Sequence, residues 1–163
     1  AGAVKALQSG ETQPDDPQFG MHEPFESIEV SFAIGSYNPV SLGKTTLMPL
    51  ETPGHTAGAL TWSWWSCEKT DCKTLVYADS LSPVSSDSYR FSDNPKVVSG
   101  YRKGLTSLAE LPCDMLLTPH PSSSQMIERM ATGGLAGGMN CREYAQSIEA
   151  HLKKRLAEEA GKK

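Results

Sequence analysis

The chain has 163 residues, of which 38% are hydrophobic and 21% charged, with a formal net charge of −4. These are the proportions of a single globular domain long enough to bury a core. The acidic balance gives no field that would gather a polyanion, which excludes nucleic acid as an expected partner, and no apolar run approaches the roughly 18 residues of a membrane-spanning helix.

The chain opens on Ala1-Gly2-Ala3-Val4-Lys5-Ala6-Leu7, without the charged start and apolar centre of a secretion signal. Val4 and Leu7, three apart, predict a short helix at the very start, and the expectation is an end made by cleavage. A polar, Pro-rich loop follows from Ser9 to Pro24. Ile28, Val30, Phe32 and Ile34 then alternate with Glu29, Ser31 and Ala33, the period of a half-buried strand. After a turn at Tyr37-Asn38-Pro39, residues 45–50 predict a second strand that stops at Glu51-Thr52-Pro53-Gly54-His55. Leu60, Trp62 and Trp64 alternate with Thr61 and Ser63, and residues 74–78 form another β-rich run. The two read as a hairpin.

The second half turns helical. Pro95 is placed for the first position of a helix whose face is Val97, Tyr101, Leu105, Leu108 and Leu111, since Pro lacks only an N–H that the first turn leaves unpaired. Residues 113–118 predict a short strand ending at Pro119-His120-Pro121, and residues 122–130 a short helix closed by Gly133-Gly134. Asn140-Cys141-Arg142-Glu143 has the form of a capping box, opening a helix with the face Tyr144, Ile148, Leu152 and Leu156. Strands followed by alternating helices and strands predict an α/β protein with helices on a mixed sheet.

Four cysteines allow three pairings. Cys67 and Cys72 flank the predicted hairpin loop, where cross-strand neighbours approach closely, which leaves Cys113 with Cys141. By loop-closure entropy the longer bridge stabilises by about 3.6 kcal/mol and the shorter by about 2 kcal/mol, and both imply an oxidising compartment. Four reduced thiols in a cytosolic protein is the alternative. A zinc ribbon fits less well, because neither pair has the short gap that lets two thiolates grip one ion.

Two of the four histidines stand where chemistry is done. His55 follows Pro53 and Gly54 at a strand end, and His120 is held between two prolines directly after an apolar strand. Strand-end loops are where α/β folds place their sites, although a histidine bonded to its own loop would look the same. Tyr77-Ala78-Asp79-Ser80-Leu81-Ser82 marks a third strand end, with a carboxylate and hydroxyls suited to a metal, a water or a substrate carboxylate, or simply to capping a turn. No Gly-x-Ser-x-Gly elbow supports a serine hydrolase. His22, in a polar loop, and His151, on a charged helix, read as incidental.

Taken together, Thr52-Pro53-Gly54-His55-Thr56, Ala78-Asp79-Ser80-Leu81-Ser82, Leu111-Pro112-Cys113-Asp114 and Thr118-Pro119-His120-Pro121, in this order and with a late Cys141, resemble the metallo-β-lactamases. The match is to the third subclass of class B, which has serine where others have a zinc-binding cysteine. Asp16-Pro17-Gln18-Phe19-Gly20, the loop between Cys67 and Cys72, and residues 87–93 resemble the branch with an extra hairpin disulfide.

The resemblance implies an αβ/βα sandwich of which residues 1–163 are the C-terminal portion of one domain. It further implies two zinc ions at the sheet edge, a zinc-bound hydroxide as the nucleophile that opens a β-lactam amide, and a periplasmic location. On that resemblance His55 completes a three-histidine zinc site, His120 joins the second zinc, and Ser80 and Ser82 hold water or the substrate's carboxylate. Asp79 receives no metal role from it. The family's His-x-His-x-Asp-His cluster does not occur in the chain. A catalytic zinc takes about three protein ligands, so the expectation is half a site, inactive alone, with the N-terminal portion missing or present as a separate chain, and with a bare sheet face where it would pack. A lactone or thioester hydrolase of the same superfamily, and a non-catalytic, disulfide-stapled secreted binding module, are the competing readings.

Overall fold

The computed structural model of the chain describes residues 2–161. In chain order the elements are α1 (Val4–Ser9), β1 (Val40–Leu42), β2 (Thr45–Glu51), β3 (Leu60–Glu68), β4 (Asp71–Tyr77), α2 (Pro95–Glu110), β5 (Met115–Leu117), α3 (Met126–Thr132) and α4 (Cys141–Ala160). Short 3-10 turns lie at Phe91–Asp93 and Pro121–Ser124. Among the described residues no helix is long and apolar enough to cross a membrane.

The five strands form one mixed sheet in the order β1-β2-β3-β4-β5. All neighbours are antiparallel except β4 and β5. Consequently β2, β4 and β5 run in one direction against β3, and their C-terminal ends leave the sheet at one edge. Cys67 pairs with Cys72 in the β3–β4 ladder and the two are bonded. Cys113 and Cys141 are also bonded, which ties the entry of β5 to the first residue of α4.

Residues opposite one another across a ladder share a face of the sheet. On one face Leu50, Val76 and Leu116 are buried, and Val76 and Leu116 share a core with Val98, Tyr101, Leu105 and Leu108 of α2 and Tyr144, Ile148 and Leu152 of α4. The registers Trp62↔Tyr77↔Leu117 and Trp64↔Leu75↔Met115 build a second apolar face on the other side. There Trp62, Trp64, Leu75, Met115 and Leu117 are only half-buried and Tyr77 is 39% exposed.

α2 begins at Pro95, as its sequence predicts. α4 begins with a complete capping box, Asn140 accepting the Glu143 amide and the Glu143 carboxylate accepting the Asn140 amide, an arrangement that stabilises a helix start by about 1 kcal/mol. At its other end Glu159 accepts from the amides of Phe91 and Ser92 and from Arg155, fixing the turn that precedes α2.

Three local expectations are corrected. Residues 28–34 join no ladder among the described residues; Ile28 N–H donates to the Leu7 carbonyl and, just before the segment, Phe25 N–H to that of Gly10, and Phe32 is 71% exposed. Alternation marks a surface that would pack as a strand but does not itself supply a neighbouring strand. β1 is a three-residue strand too short to announce itself, turned back on β2 at Gly43, whose φ of +61° glycine adopts without strain. The helix expected over residues 122–130 is split by Gln125, which stands in the left-handed region with φ +56°, so that α3 starts only at Met126.

Candidate metal and substrate site

The shared edge collects the three strand-end loops singled out in the sequence: residues 52–56 after β2, 78–82 after β4 and 118–121 after β5. The first is shaped by close packing. Gly54 lies with φ +153° against the ring of Tyr101, where an added Cβ would stand 2.3 Å from a ring carbon. Only glycine lets the backbone lie on that ring, and the chain then delivers His55 to the edge. Beneath it the hydroxyls of buried Thr52 and Thr61 lie 3.0 Å apart.

His55 is half-buried and held at both nitrogens. Its Nδ1 lies 2.8 Å from the carbonyl oxygen of Ser82, which can only accept, so Nδ1 carries the proton. Its Nε2 is 3.0 Å from the side-chain nitrogen of Gln18, which donates to the ring lone pair. The tautomer so fixed leaves Nε2 as the acceptor nitrogen, its lone pair taken by Gln18 in this structure, and a carbonyl on the other nitrogen is the arrangement that orients a metal-binding imidazole. Gln18 is 9% exposed, its own amide donates to Asp16 Oδ1, and its side-chain oxygen accepts from His22 Nε2 at 3.0 Å. Gln18 and His22 thus stand against His55, although the sequence marks the first only as part of the Asp16–Gly20 resemblance, with no site role, and the second as incidental. Together with Asp15, Asp16 and His55 they line a cleft of about 610 Å³.

The second loop is pinned from below. The Tyr144 hydroxyl donates to the Ser80 carbonyl at 2.6 Å and to that of Asp79 at 3.3 Å, and the Tyr101 hydroxyl donates to the carbonyl of Leu81. Burial, reinforced by the neighbouring Asp79 charge, pushes both phenols above their ordinary range, so both stay neutral donors. Held this way, Leu81 takes a left-handed conformation with φ +49° and is buried. The hydroxyls of Ser80 and Ser82 lie 3.0 Å apart, and Ser82 Oγ is 3.4 Å from His55 Nδ1. The structure therefore brings Ser80, Ser82 and His55 together.

The third loop carries His120, exposed, its carbonyl accepting from the Thr118 hydroxyl and the Ser123 amide. His120 shares the edge with His55 but belongs to a separate loop, and His151 is exposed on α4. Among the described residues no three His, Cys, Asp or Glu side chains gather around one point. The donor chemistry suits zinc, since both histidines offer a ring nitrogen; the number of donors does not complete a site.

No protein-family profile matches the chain. Solved structures do, over nearly its whole length. The metallo-β-lactamase MIM-1 from Novosphingobium pentaromativorans is 41% identical, with a TM-score of 0.92 over 99% of this chain and 60% of its own. The MIM-2 metallo-β-lactamase is 46% identical, with a TM-score of 0.90 over 97% of this chain and 58% of its own. MEM-A1, a subclass B3 metallo-β-lactamase isolated from a soil metagenome library, is 31% identical, with a TM-score of 0.89 over 98% and 64%. The chain spans about three-fifths of the length of the enzymes it matches, and over that span it has the α/β fold of a subclass B3 metallo-β-lactamase.

Proposed function

We propose that the chain is the His55- and His120-bearing portion of a zinc-dependent β-lactamase of subclass B3, and that the complete domain hydrolyses the β-lactam amide bond. The observation that carries this reading is the bond from His55 Nδ1 to the Ser82 carbonyl, which fixes the ring with the serine hydroxyls on its Nδ1 side and Nε2 as the acceptor nitrogen beside Gln18. Zinc, when bound by a full ligand set, supplies a Lewis acid for the carbonyl and acidifies its water.

The residues of this chain do the holding. His55 is a ligand of one zinc and His120 of the other. Ser80 stands in the place of a zinc-binding cysteine and, with Ser82, orients water or the substrate's carboxylate, their spacing set by Tyr101 and Tyr144. Two disulfides suit an exported protein in an oxidising compartment, here the periplasm. The remaining ligands come from the portion that the matched enzymes have beyond this span, either in one polypeptide or as a separate chain.

The test compares carbapenem hydrolysis with added zinc by residues 1–163 alone and by the same residues completed with the N-terminal portion of a similar enzyme. Turnover is expected only in the completed protein, and is lost on His55→Ala. Appreciable turnover by the chain alone, or a folded, zinc-loaded completed protein that ignores β-lactams and cleaves a lactone, overturns the reading.

A further inference from the structure

Arg129 projects from α3, is 5% exposed, and among the described residues forms no ion pair. Its guanidinium donates only to backbone carbonyls: Nη1 to Leu116 at 3.1 Å and Ser124 at 3.2 Å, Nε to Gly137 at 3.0 Å, and Nη2 to Leu135 at 2.6 Å. A buried cation without an acid is costly unless its donors are met, and here four carbonyls meet them. The two on Nη1 are the informative pair. Leu116 lies in β5 and Ser124 ends the 3-10 turn, so one nitrogen clips together both ends of the segment 117–123. That segment carries His120 between its two prolines. Within it the Thr118 hydroxyl reaches the Ser124 hydroxyl at 2.7 Å and the His120 carbonyl at 2.9 Å.

We propose that Arg129 is a positioning residue for His120: its planar fork closes the base of the 117–123 loop and so sets where the imidazole stands at the sheet edge. The purpose of the clip rests on reading His120 as a zinc ligand. Lysine cannot replace it, because its side chain ends one bond short of the guanidinium Nη atoms and a single ammonium cannot also meet the Gly137 and Leu135 carbonyls. The glycine-rich return leaves room for the arginine stem, since a Cβ at Gly138 would lie 3.0 Å from it.

The test is made on the metal-free 163-residue chain, so failure of the zinc reading cannot alter its outcome. Amide exchange at Ser123 and the ring resonances of His120 are compared in wild type, Arg129→Lys and Leu152→Ala, the last a buried truncation on α4. Arg129→Lys is expected to speed Ser123 exchange at least tenfold and move the His120 ring signals toward those of an unstructured histidine, while His55 stays put and Leu152→Ala leaves His120 in place. Unchanged Ser123 and His120 signals in a folded Arg129→Lys chain, or equal shifts in Leu152→Ala, overturn the proposal. Should the lysine variant not fold, the wild type decides. A clipped guanidinium gives resolved, slowly exchanging Nη protons, and a single averaged signal overturns the clip. The zinc reading fails separately if His120→Ala leaves zinc stoichiometry of the completed protein unchanged.

Discussion

The imidazole of His55 and the carbonyl of Ser82, 27 residues apart, meet at 2.8 Å, and this one bond makes two strand-end loops into a single site. Its geometry is only as firm as the loop that supplies the carbonyl. That loop hangs from two phenols, Tyr144 on Ser80 and Asp79, and Tyr101 on Leu81. Tyr144→Phe keeps the ring in the core but strands a buried carbonyl. The expected loss is about 1–2 kcal/mol, read as a lower urea midpoint at unchanged slope. An unaltered midpoint would show that the hydroxyl contributes nothing to holding the loop.

Gly54→Ala should cost more, by a different mechanism. The new methyl would stand 2.3 Å from the Tyr101 ring at a φ of +153°, so both sterics and backbone oppose it, and about 3 kcal/mol is expected. Gly20 has a positive φ of +76° but open space around it, so Gly20→Ala should cost about 1 kcal/mol. Denaturation of the two variants side by side separates the close approach from the torsion; equal losses would mean that contact with the ring is irrelevant.

How much of this was legible beforehand follows from what sequence patterns encode. Periodicity marks faces, so the helix face of Tyr101, Leu105 and Leu108 and the hairpin of Trp62, Trp64 and Val76 stood out, as did the Asn140–Glu143 box. The cysteine pairing followed from position. Periodicity does not say what a face meets, which is why residues 28–34 read as a strand and lie outside the sheet. Nor does it say where a polar tip goes. Tyr101 and Tyr144 were visible as core residues, but their hydrogen bonds to the 79–81 loop depend on how the helices pack. Gln18 reaches His55 across 37 residues from a loop with no period at all. Arg129 carries no signal in the sequence, since nothing local foretells a cluster of carbonyls around its guanidinium.

Acid should loosen the junction of α4 with the turn before α2. Burial works against ionisation of Glu159, but Arg155 and the amides of Ser92 and Phe91 outweigh it and hold its pKa below the ordinary carboxylate value. A group depressed in the folded state contributes stability above its unfolded pKa, and the contribution drains away as pH falls through the folded value. Stability measured from pH 7 downward should therefore drop below about pH 4.5 more steeply in wild type than in Glu159→Gln, whose curve starts lower and runs flatter. Parallel curves would place the acid sensitivity elsewhere.

The two disulfides should part company under reduction. Cys67 and Cys72 are both exposed on the hairpin, whereas Cys141 is 1% exposed within the core. Exchange requires a thiolate to reach a sulfur, so a mild thiol reductant should open the hairpin bridge first. That loss should be modest, because the bridge closes a short loop already paired by the β3–β4 ladder. Opening Cys113–Cys141, where Cys113 is half-buried and Cys141 lies in the core, must wait for the first turn of α4 to loosen, and then removes the larger constraint, about 3.6 kcal/mol by loop-closure entropy. Alkylation and peptide mapping over a reduction time course should label residues 67 and 72 while thermal unfolding is still nearly that of the oxidised protein. Labelling at 113 and 141 should appear only with loss of the folded state. If both pairs are labelled together, burial of Cys141 does not protect the second bridge and the first turn of α4 opens freely in the native chain.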